Sequence, residues 1–141
     1  MIRLGIVGAE NSHSYLVAKA CHANPSVSMK AVAIWGETPE LAQASATKGD
    51  IPKMVADWRE LLGQVDVVMI DHRHAGNHYE PAEFFLNNDL PVFVDKPFTF
   101  TTDEARRLID LAESRHVPIT TFSIVPRQQV FQEFKKKVEE S

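Results

Sequence analysis

Asp95, Lys96 and Pro97 follow a short apolar run and form the most specific chemical feature of the chain. An ammonium group at the end of a buried strand can orient a hydroxyl or carbonyl group and help to move its proton. Lys96 has the side chain and the place in the sequence for such chemistry, and Asp95 precedes it. The competing interpretation is a surface lysine that precedes a turn-forming proline.

A second candidate site is the segment at residues 8–13, which lies between an apolar run and a segment of helical period. A tight turn in this context, with free backbone N–H groups at a helix start, suits a dinucleotide phosphate. The dinucleotide fingerprint has glycine at its first, third and sixth positions, where this chain has Gly8, Glu10 and His13. We expect Glu10 to repel a pyrophosphate and His13 to loosen the packing of the helix on the strand. An ordinary tight turn is the alternative. The candidate cofactor contacts in this turn are Gly8, Ala9, Glu10 and Asn11.

The end of the second apolar run is the expected place for the adenosine half of a dinucleotide. The fingerprint calls for an acidic side chain about 20 residues past the glycines, which bonds the ribose hydroxyls. Gly36 occupies that position, and Glu37 follows it. We expect Glu37 to bind the ribose from the neighbouring position and Trp35 to cover the adenine ring. A solvated loop and a packed tryptophan would account for the same residues.

Residues 71–78 contain three histidines and one aspartate, which raises the question of a metal site. A His-x-His pair at a strand end also resembles metal-dependent hydrolases, so a hydrolase that uses His72 and His74 is the alternative enzyme. These two side chains point to opposite faces of an extended chain, although a turn can bring them together with Asp71. Because the spacing is irregular and lacks a clear fourth ligand, we expect no tightly bound metal and assign His72 to the cofactor groove.

The elements that must position these residues alternate between short apolar runs and segments of helical period, which is typical of βαβ units. Continuous apolar character suits strands that are covered on both faces by helices. The sequence therefore predicts a single α/β domain, a three-layer Rossmann-type doubly wound parallel sheet. The loops at the carboxyl ends of its strands meet at one edge, where such sheets bind ligands. The predicted strands are residues 2–7, 30–35, 53–55 (weakly), 65–70, 91–94 and 118–124.

Four helix starts carry capping signals. Thr38 precedes Pro39, which needs no hydrogen-bond donor in the first turn. Asp57 with Glu60, and Thr101 with Glu104, have capping-box spacing. Asn77 is the predicted cap of a helix over residues 78–88.

The segment Asp95 to Pro97 resembles the Glu-Lys-Pro signature of the glucose-fructose oxidoreductase and inositol dehydrogenase family (Gfo/Idh/MocA), with aspartate in place of the usual glutamate. The strand-glycine start, the segments 38–40 and 57–62, and the separation of His78 from Lys96 are also similar to that family, so the resemblance covers nearly all 141 residues. It implies NAD or NADP as cofactor and a sugar, polyol or related hydroxyl compound as substrate. It also implies a position for Lys96 beside the nicotinamide and the reacting hydroxyl, which makes Lys96 the candidate catalytic residue and makes Asp95 and Lys96 candidate cofactor contacts. A Thr-Pro-Asn run is usual in the family where this chain has residues 71–78.

In that family a second domain supplies a catalytic histidine and most substrate contacts. The resemblance therefore implies an NAD(P)-binding domain at residues 1–126 and a helix at 127–141 that leads into a second domain absent from this chain. We expect the chain to be incomplete for catalysis alone. The non-enzyme alternative is a Rossmann-fold binding module that has lost the dinucleotide.

The last helix carries an apolar stripe that predicts a homodimer, unless the helix folds back and buries it. The stripe residues are Val130, Phe131, Phe134 and Val138.

Composition excludes several other classes of protein. The formal net charge of -4 argues against nucleic acid as a partner, because phosphate binding relies on clustered lysine and arginine. No stretch approaches the roughly 20 apolar residues of a membrane helix. The single Cys21 fits a reducing compartment, so we expect a cytoplasmic location.

Overall fold

The computed structural model describes residues 1–24, 26–123 and 127–140. Five parallel strands form one sheet in the order β2-β1-β3-β4-β5. The strands are β1 (Ile2–Val7), β2 (Met29–Trp35), β3 (Val67–Ile70), β4 (Val92–Val94) and β5 (Ile119–Thr121). The α-helices are α1 (His13–Ala23), α2 (Pro39–Gly49), α3 (Tyr79–Asn87), α4 (Thr102–Arg115) and α5 (Gln129–Glu139). None of the helices in these ranges is long and apolar enough to cross a membrane.

The sheet separates two apolar cores, which makes the domain three-layered. On one face α1 and α2 pack through small side chains such as Ala18 and Ala46 against Leu4, Ile6 and Ile34. On the other face α3 and α4 contribute larger side chains. Alternate residues of β1, β3 and β4 supply the two cores, as strand geometry requires. The predicted doubly wound α/β fold is confirmed.

Three of the four predicted caps are present. The Thr38 side chain accepts a hydrogen bond from the Leu41 N–H at the start of α2, and Thr101 with Glu104 forms a complete capping box on α4. Asp57 and Glu60 form another, on a short 3-10 turn, Trp58–Leu61. The prediction for Asn77 is wrong. His74 caps a 3-10 turn, Ala75–Asn77, through the Gly76 N–H, so Asn77 lies inside that turn and α3 begins after it.

The strand predictions differ from the structure mainly at their ends. Residues 53–55 form only a single bridge, between Met54 and Ile34, because the chain leaves the sheet on either side of it. β3 begins at Val67 rather than at residue 65. β5 ends at Thr121, and the predicted end of that strand at residue 124 lies outside the described residues.

The hydrogen-bond ladder between strands continues for one residue past β1, β3 and β4 and aligns the loops that carry the candidate residues. Backbone N–H groups of Gly8, Asp71 and Asp95 donate to carbonyl oxygens of the neighbouring strands at 3.0, 2.7 and 2.8 Å. The acceptors are Trp35, Val7 and Ile70. The loops after β1, β2, β3 and β4 therefore lie side by side at the carboxyl edge of the sheet.

Helix α5 has no buried residue. Its four stripe side chains are between 38% and 68% exposed, so the alternative in which this helix folds back and buries them is wrong. The predicted domain boundary at residue 126 lies outside the described residues.

Candidate functional site

The turn after β1 requires glycine at its first position. Gly8 has φ +113, and a Cβ atom there would lie 2.7 Å from the Asp71 carbonyl carbon and 2.8 Å from the His72 nitrogen. A side chain would therefore both strain the backbone and push the β3 loop away. Gly8 brings the loops after β1 and β3 into direct contact.

Glu37 connects three of the loops at this edge. Its Oε2 accepts hydrogen bonds from the backbone N–H groups of Ala9 (2.8 Å) and Glu10 (3.1 Å), and its Oε1 lies 2.8 Å from Nδ1 of His72. Burial raises the pKa of Glu37, but the His72 hydrogen bond and the Ala9 amide outweigh burial, so the pKa lies below its usual value. The Glu37 carboxylate is therefore fixed in position and occupies the two amides of the first turn that no other group binds among the described residues.

A cleft of about 430 Å³ opens beside Glu37 at the end of β2. Trp35 forms one wall, and its Nε1 donates to the carbonyl oxygen of Ala56 at 3.2 Å. A Cβ at Gly36 would come within 2.8 Å of both the Ala42 nitrogen and the Ala9 Cβ, so α2 approaches the first turn closely here. Mostly apolar walls with one carboxylate at the rim suit a flat ring that carries a hydroxylated sugar. The cleft is also lined by Pro39, Met54 and Val55.

The turn after β1 ends at the start of α1, where the side chain of His13 contacts Asp71 and Asp95. Nδ1 of His13 lies 2.8 Å from Oδ2 of Asp95 and 3.8 Å from Oδ1 of Asp71. Asn11 donates to Asp95 Oδ2 at 3.2 Å. Burial, followed by the nearby Asp95 charge, raises the pKa of Asp71 well above its usual range, and the Ser14 backbone offsets only part of that effect.

The structure corrects the expectation for His13. Its imidazole contacts the two aspartates at the sheet edge rather than pressing between α1 and the strand. Ala18, which is fully buried, packs in one core with Leu4 and Ile6 of β1, so the helix lies close to the sheet. A histidine at the sixth fingerprint position is therefore compatible with close helix packing.

Lys96 is the second residue after β4 and is exposed, and within the described ranges it has no hydrogen bond or ion pair. The peptide bond between Lys96 and Pro97 is cis. His78, which is fully buried, braces this loop because its Nδ1 lies 2.9 Å from the Pro97 carbonyl oxygen and its Nε2 lies 2.9 Å from that of His72. The His78 ring thus ties the Lys96 loop to the β3 loop.

The structure does not bring His72 and His74 together as a ligand pair. His72 is directed to Glu37, whereas His74 caps the Gly76 N–H and stacks on Phe100 at 5.7 Å. The geometry gives no support to the hydrolase alternative at this pair.

All the candidate cofactor residues lie at one edge of the sheet, but they do not share one environment. Asp95 and His72 are 4% and 5% exposed and contact neighbouring side chains, whereas Lys96 and Glu10 face solvent. Sequence reasoning missed the contacts of His13 and Asp71 and the bracing role of His78. Asp71 directly follows a predicted strand, and the separation of His78 from Lys96 is part of the resemblance, but no sequence signal joins His13 to either aspartate.

The family profile described as "Oxidoreductase family, NAD-binding Rossmann fold" (Gfo/Idh/MocA) matches residues 2–123. The chain belongs to this family. The resemblance seen in the sequence is thereby confirmed, as is the Rossmann-type domain. The family binds NAD or NADP, as the resemblance implied.

Individual relatives agree with the family assignment. The chain is 33% identical over 85 residues to YhhX, an uncharacterized oxidoreductase of Escherichia coli. The aligned residues make up 60% of this chain and 25% of YhhX. Biliverdin reductase from Synechocystis, solved with biliverdin and NADP+, superposes with a TM-score of 0.83 at 19% identity over 98% of this chain. The WlbA dehydrogenase from Bordetella pertussis, solved with NADH and UDP-GlcNAcA, superposes with a TM-score of 0.81 at 22% identity over 99% of this chain. At these identities the two structures support the fold alone.

The chain spans only part of each of these relatives. It covers 43% of the biliverdin reductase chain and 42% of the WlbA chain. It corresponds to their nucleotide-binding fold and not to their full length.

Proposed function

We propose that this chain is the NAD(P)-binding domain of an oxidoreductase that acts on a sugar, polyol or related hydroxyl compound. In this proposal residues 1–126 bind the dinucleotide, and residues 127–141 lead into a second domain that completes the substrate site. The observation that carries the proposal is a shared edge: the Gly8 turn, the cleft beside Trp35 and the Lys96 loop follow neighbouring strands of one parallel sheet.

The adenosine half of the cofactor fits the cleft at the end of β2. Trp35 and Met54 offer apolar contact to the adenine ring, and Glu37 offers a carboxylate to the ribose hydroxyls. A carboxylate at this place repels the additional 2′-phosphate of NADP. Glu37 therefore supports NAD as the preferred cofactor.

Lys96 is the proposed catalytic residue at the nicotinamide end. When bound, the dinucleotide supplies the group that accepts or donates hydride. The Lys96 ammonium group holds the substrate oxygen and helps to move its proton. His78 and the neighbouring Asp95 fix the loop from which Lys96 projects.

A titration with NADH, followed by nicotinamide fluorescence, tests the dinucleotide proposal. We expect saturable binding that weakens at least about tenfold in Met54→Glu, because a carboxylate then replaces an apolar contact to the adenine. Leu16→Glu is the matched control, since Leu16 is a similarly exposed apolar residue on α1 outside the cleft. Equal binding by the two variants contradicts the proposed adenine position.

A second candidate function is a binding module that has lost the dinucleotide. The observation that favours it is the carboxylate of Glu37 on the Ala9 and Glu10 amides, which would otherwise be free to bind a phosphate. Glu10 adds a further negative charge beside them. Absence of binding to both NADH and NADPH would support this candidate over the first.

For the assembled protein we propose a cytoplasmic homodimer that uses neither nucleic acid nor a membrane as a partner. The net charge of -4 supports the exclusion of nucleic acid. The exposed stripe on α5 supports self-association, because an uncovered apolar surface of this kind favours burial against a partner.

A further inference from the structure

A side-chain cluster at the carboxyl edge consists of His13, Asp71 and Asp95, of which the proposed reaction uses only Asp95, and only to hold the Lys96 loop. His13 opens α1, and the two aspartates directly follow β3 and β4. One ligand-type atom from each, the His13 Nδ1 and a carboxylate oxygen from each aspartate, lies within 4.8 Å of the other two. Three loops that are far apart in sequence therefore place three metal-binding groups at one point.

Asp71 provides an independent sign that this point holds a ligand. The residue is fully buried, and neither of its carboxylate oxygens has a hydrogen-bond partner among the residues that the structure describes. Asp95 beside it is only 4% exposed. Two buried carboxylates at close range can both be ionised only beside a compensating positive charge, because an uncompensated buried charge costs several kcal/mol. The partly exposed His13 is the only cationic-type side chain that pairs with them among the described residues.

The spacing of the three groups suits a small divalent ion. Metal–ligand bonds to imidazole and carboxylate are about 2.1 Å, so neighbouring ligands in tetrahedral or octahedral sites lie roughly 3.0–3.4 Å apart. The distances from His13 Nδ1 to Asp95 Oδ2 and Asp71 Oδ1, 2.8 and 3.8 Å, bracket this range. One imidazole with two carboxylates is a donor set for zinc or manganese.

We propose that His13, Asp71 and Asp95 form a binding site for one divalent transition-metal ion. This site differs from the histidine pair at His72 and His74, and it revises the expectation that the edge holds no metal. Three protein ligands leave at least one coordination position for water. The site does not depend on dinucleotide binding.

The surroundings of the cluster hold the ligands in place. Asn11 donates from Nδ2 to Asp95 Oδ2, and the Asn11 carbonyl oxygen accepts a hydrogen bond from the Ser14 hydroxyl at 2.8 Å. Partners of this kind fix the orientation of ligating side chains. The His13 side chain is 37% exposed while those of Asp71 and Asp95 are 0% and 6% exposed. An ion therefore enters from the His13 side.

Equilibrium binding of Mn²⁺, followed by the EPR signal of the free ion, tests the proposal on the purified chain without dinucleotide. We expect one equivalent to bind, and we expect His13→Ala and Asp95→Asn each to weaken binding by more than about tenfold. His74→Ala and Asp110→Asn are the matched controls, because each removes the same chemical group from an exposed position outside the cluster. Circular dichroism verifies that every variant is folded.

Either of two results overturns the proposal. Absence of saturable binding in the wild-type chain means that protons alone neutralise the cluster. Binding that persists in His13→Ala and is lost in His74→Ala assigns the ion to the histidine pair of the β3 loop. If Asp95→Asn fails to fold, His13→Gln replaces it in the binding measurement. His13 is partly exposed, so we expect this variant to fold, and loss of the imidazole should still weaken Mn²⁺ binding. Failure of this test leaves the NADH titration unaffected, so the two proposals are separable.

Discussion

Oε1 of Glu37 lies 2.8 Å from Nδ1 of His72, and the two residues belong to loops that follow different strands. A carboxylate only accepts hydrogen bonds, so the His72 nitrogen donates. The other Glu37 oxygen accepts from the first turn. This one side chain therefore links the turn after β1 to the loop after β3 and sets the charge of the proposed adenosine site.

Removal of the Glu37 charge is expected to change cofactor preference. In Glu37→Gln the affinity for NADH should fall roughly tenfold, because a charge-assisted hydrogen bond is worth about 1.5–3 kcal/mol. The affinity for NADPH should fall less or rise, since the 2′-phosphate is no longer repelled. Parallel fluorescence titrations measure both, with Glu113→Gln on α4 as the control. An unchanged NADH-to-NADPH ratio contradicts the assignment of Glu37 to the ribose.

The same substitution is expected to reveal a pH-dependent contribution to stability. The pKa of Glu37 is lower in the folded chain than its ordinary value of 4.5. Its ionised form therefore stabilises the fold above about pH 4.5, and that contribution is lost as the pH falls through the lowered pKa. Urea unfolding at several pH values should show wild type more stable than Glu37→Gln at pH 7, with the difference shrinking towards pH 3. A difference that is constant over this range argues against an ionised Glu37 in the folded state.

Glu10 is expected to limit the affinity for the pyrophosphate. Its backbone N–H belongs to the turn proposed to bind the phosphate, while its exposed side chain adds a negative charge. Glu10→Gly should therefore tighten NADH binding several-fold, an effect that diminishes at high salt because the charge is solvent-exposed. Unchanged or weaker binding at low salt shows that Glu10 is not the obstacle.

His78 is expected to matter for the stability of the edge. It is fully buried, and its two ring nitrogens lie 2.9 Å from the carbonyl oxygens of Pro97 and His72, so His78→Ala removes at least one buried hydrogen bond and opens a cavity. We expect a loss of about 2–4 kcal/mol in the free energy of unfolding. The exposed His74→Ala should cost less than about 1 kcal/mol. Similar values for the two variants in urea denaturation would refute the bracing role.

The exposed stripe on α5 is expected to mediate self-association. Light scattering should report a dimer for the intact chain and folded monomers for the double variant Phe131→Glu, Phe134→Glu, because two carboxylates oppose burial of the stripe. Lys136→Glu, on the opposite face of the helix, is the control and should remain dimeric. A monomeric intact chain contradicts this prediction.

The fold was largely predictable from local patterns. The apolar runs at residues 2–7 and 30–35 and the caps at Thr38 and Thr101 are local signals, and the structure keeps them with shifts of one or two residues at most. Asn77 was misjudged because the Gly76 N–H is capped by His74, a choice that depends on the exact path of the loop.

The candidate site was predictable only in part. Gly8, Glu37 and Lys96 stand beside strand ends, so topology alone brings them to one edge. The contact between His13 and Asp95 joins residues 82 positions apart and depends on the register of two strands. Sequence spacing contains no information on that register, and for this reason the cluster with Asp71 was missed.

An NMR titration of the isotope-labelled chain with NADH tests the central claim most directly. The account predicts saturable chemical-shift changes at the backbone amides of Ala9 and Glu10, in the loop that carries Glu37, and at Lys96. Amides of α4, which lies away from these loops along one face of the sheet, should be unaffected. No change at millimolar NADH, or changes confined to residues outside the carboxyl edge, would contradict the account.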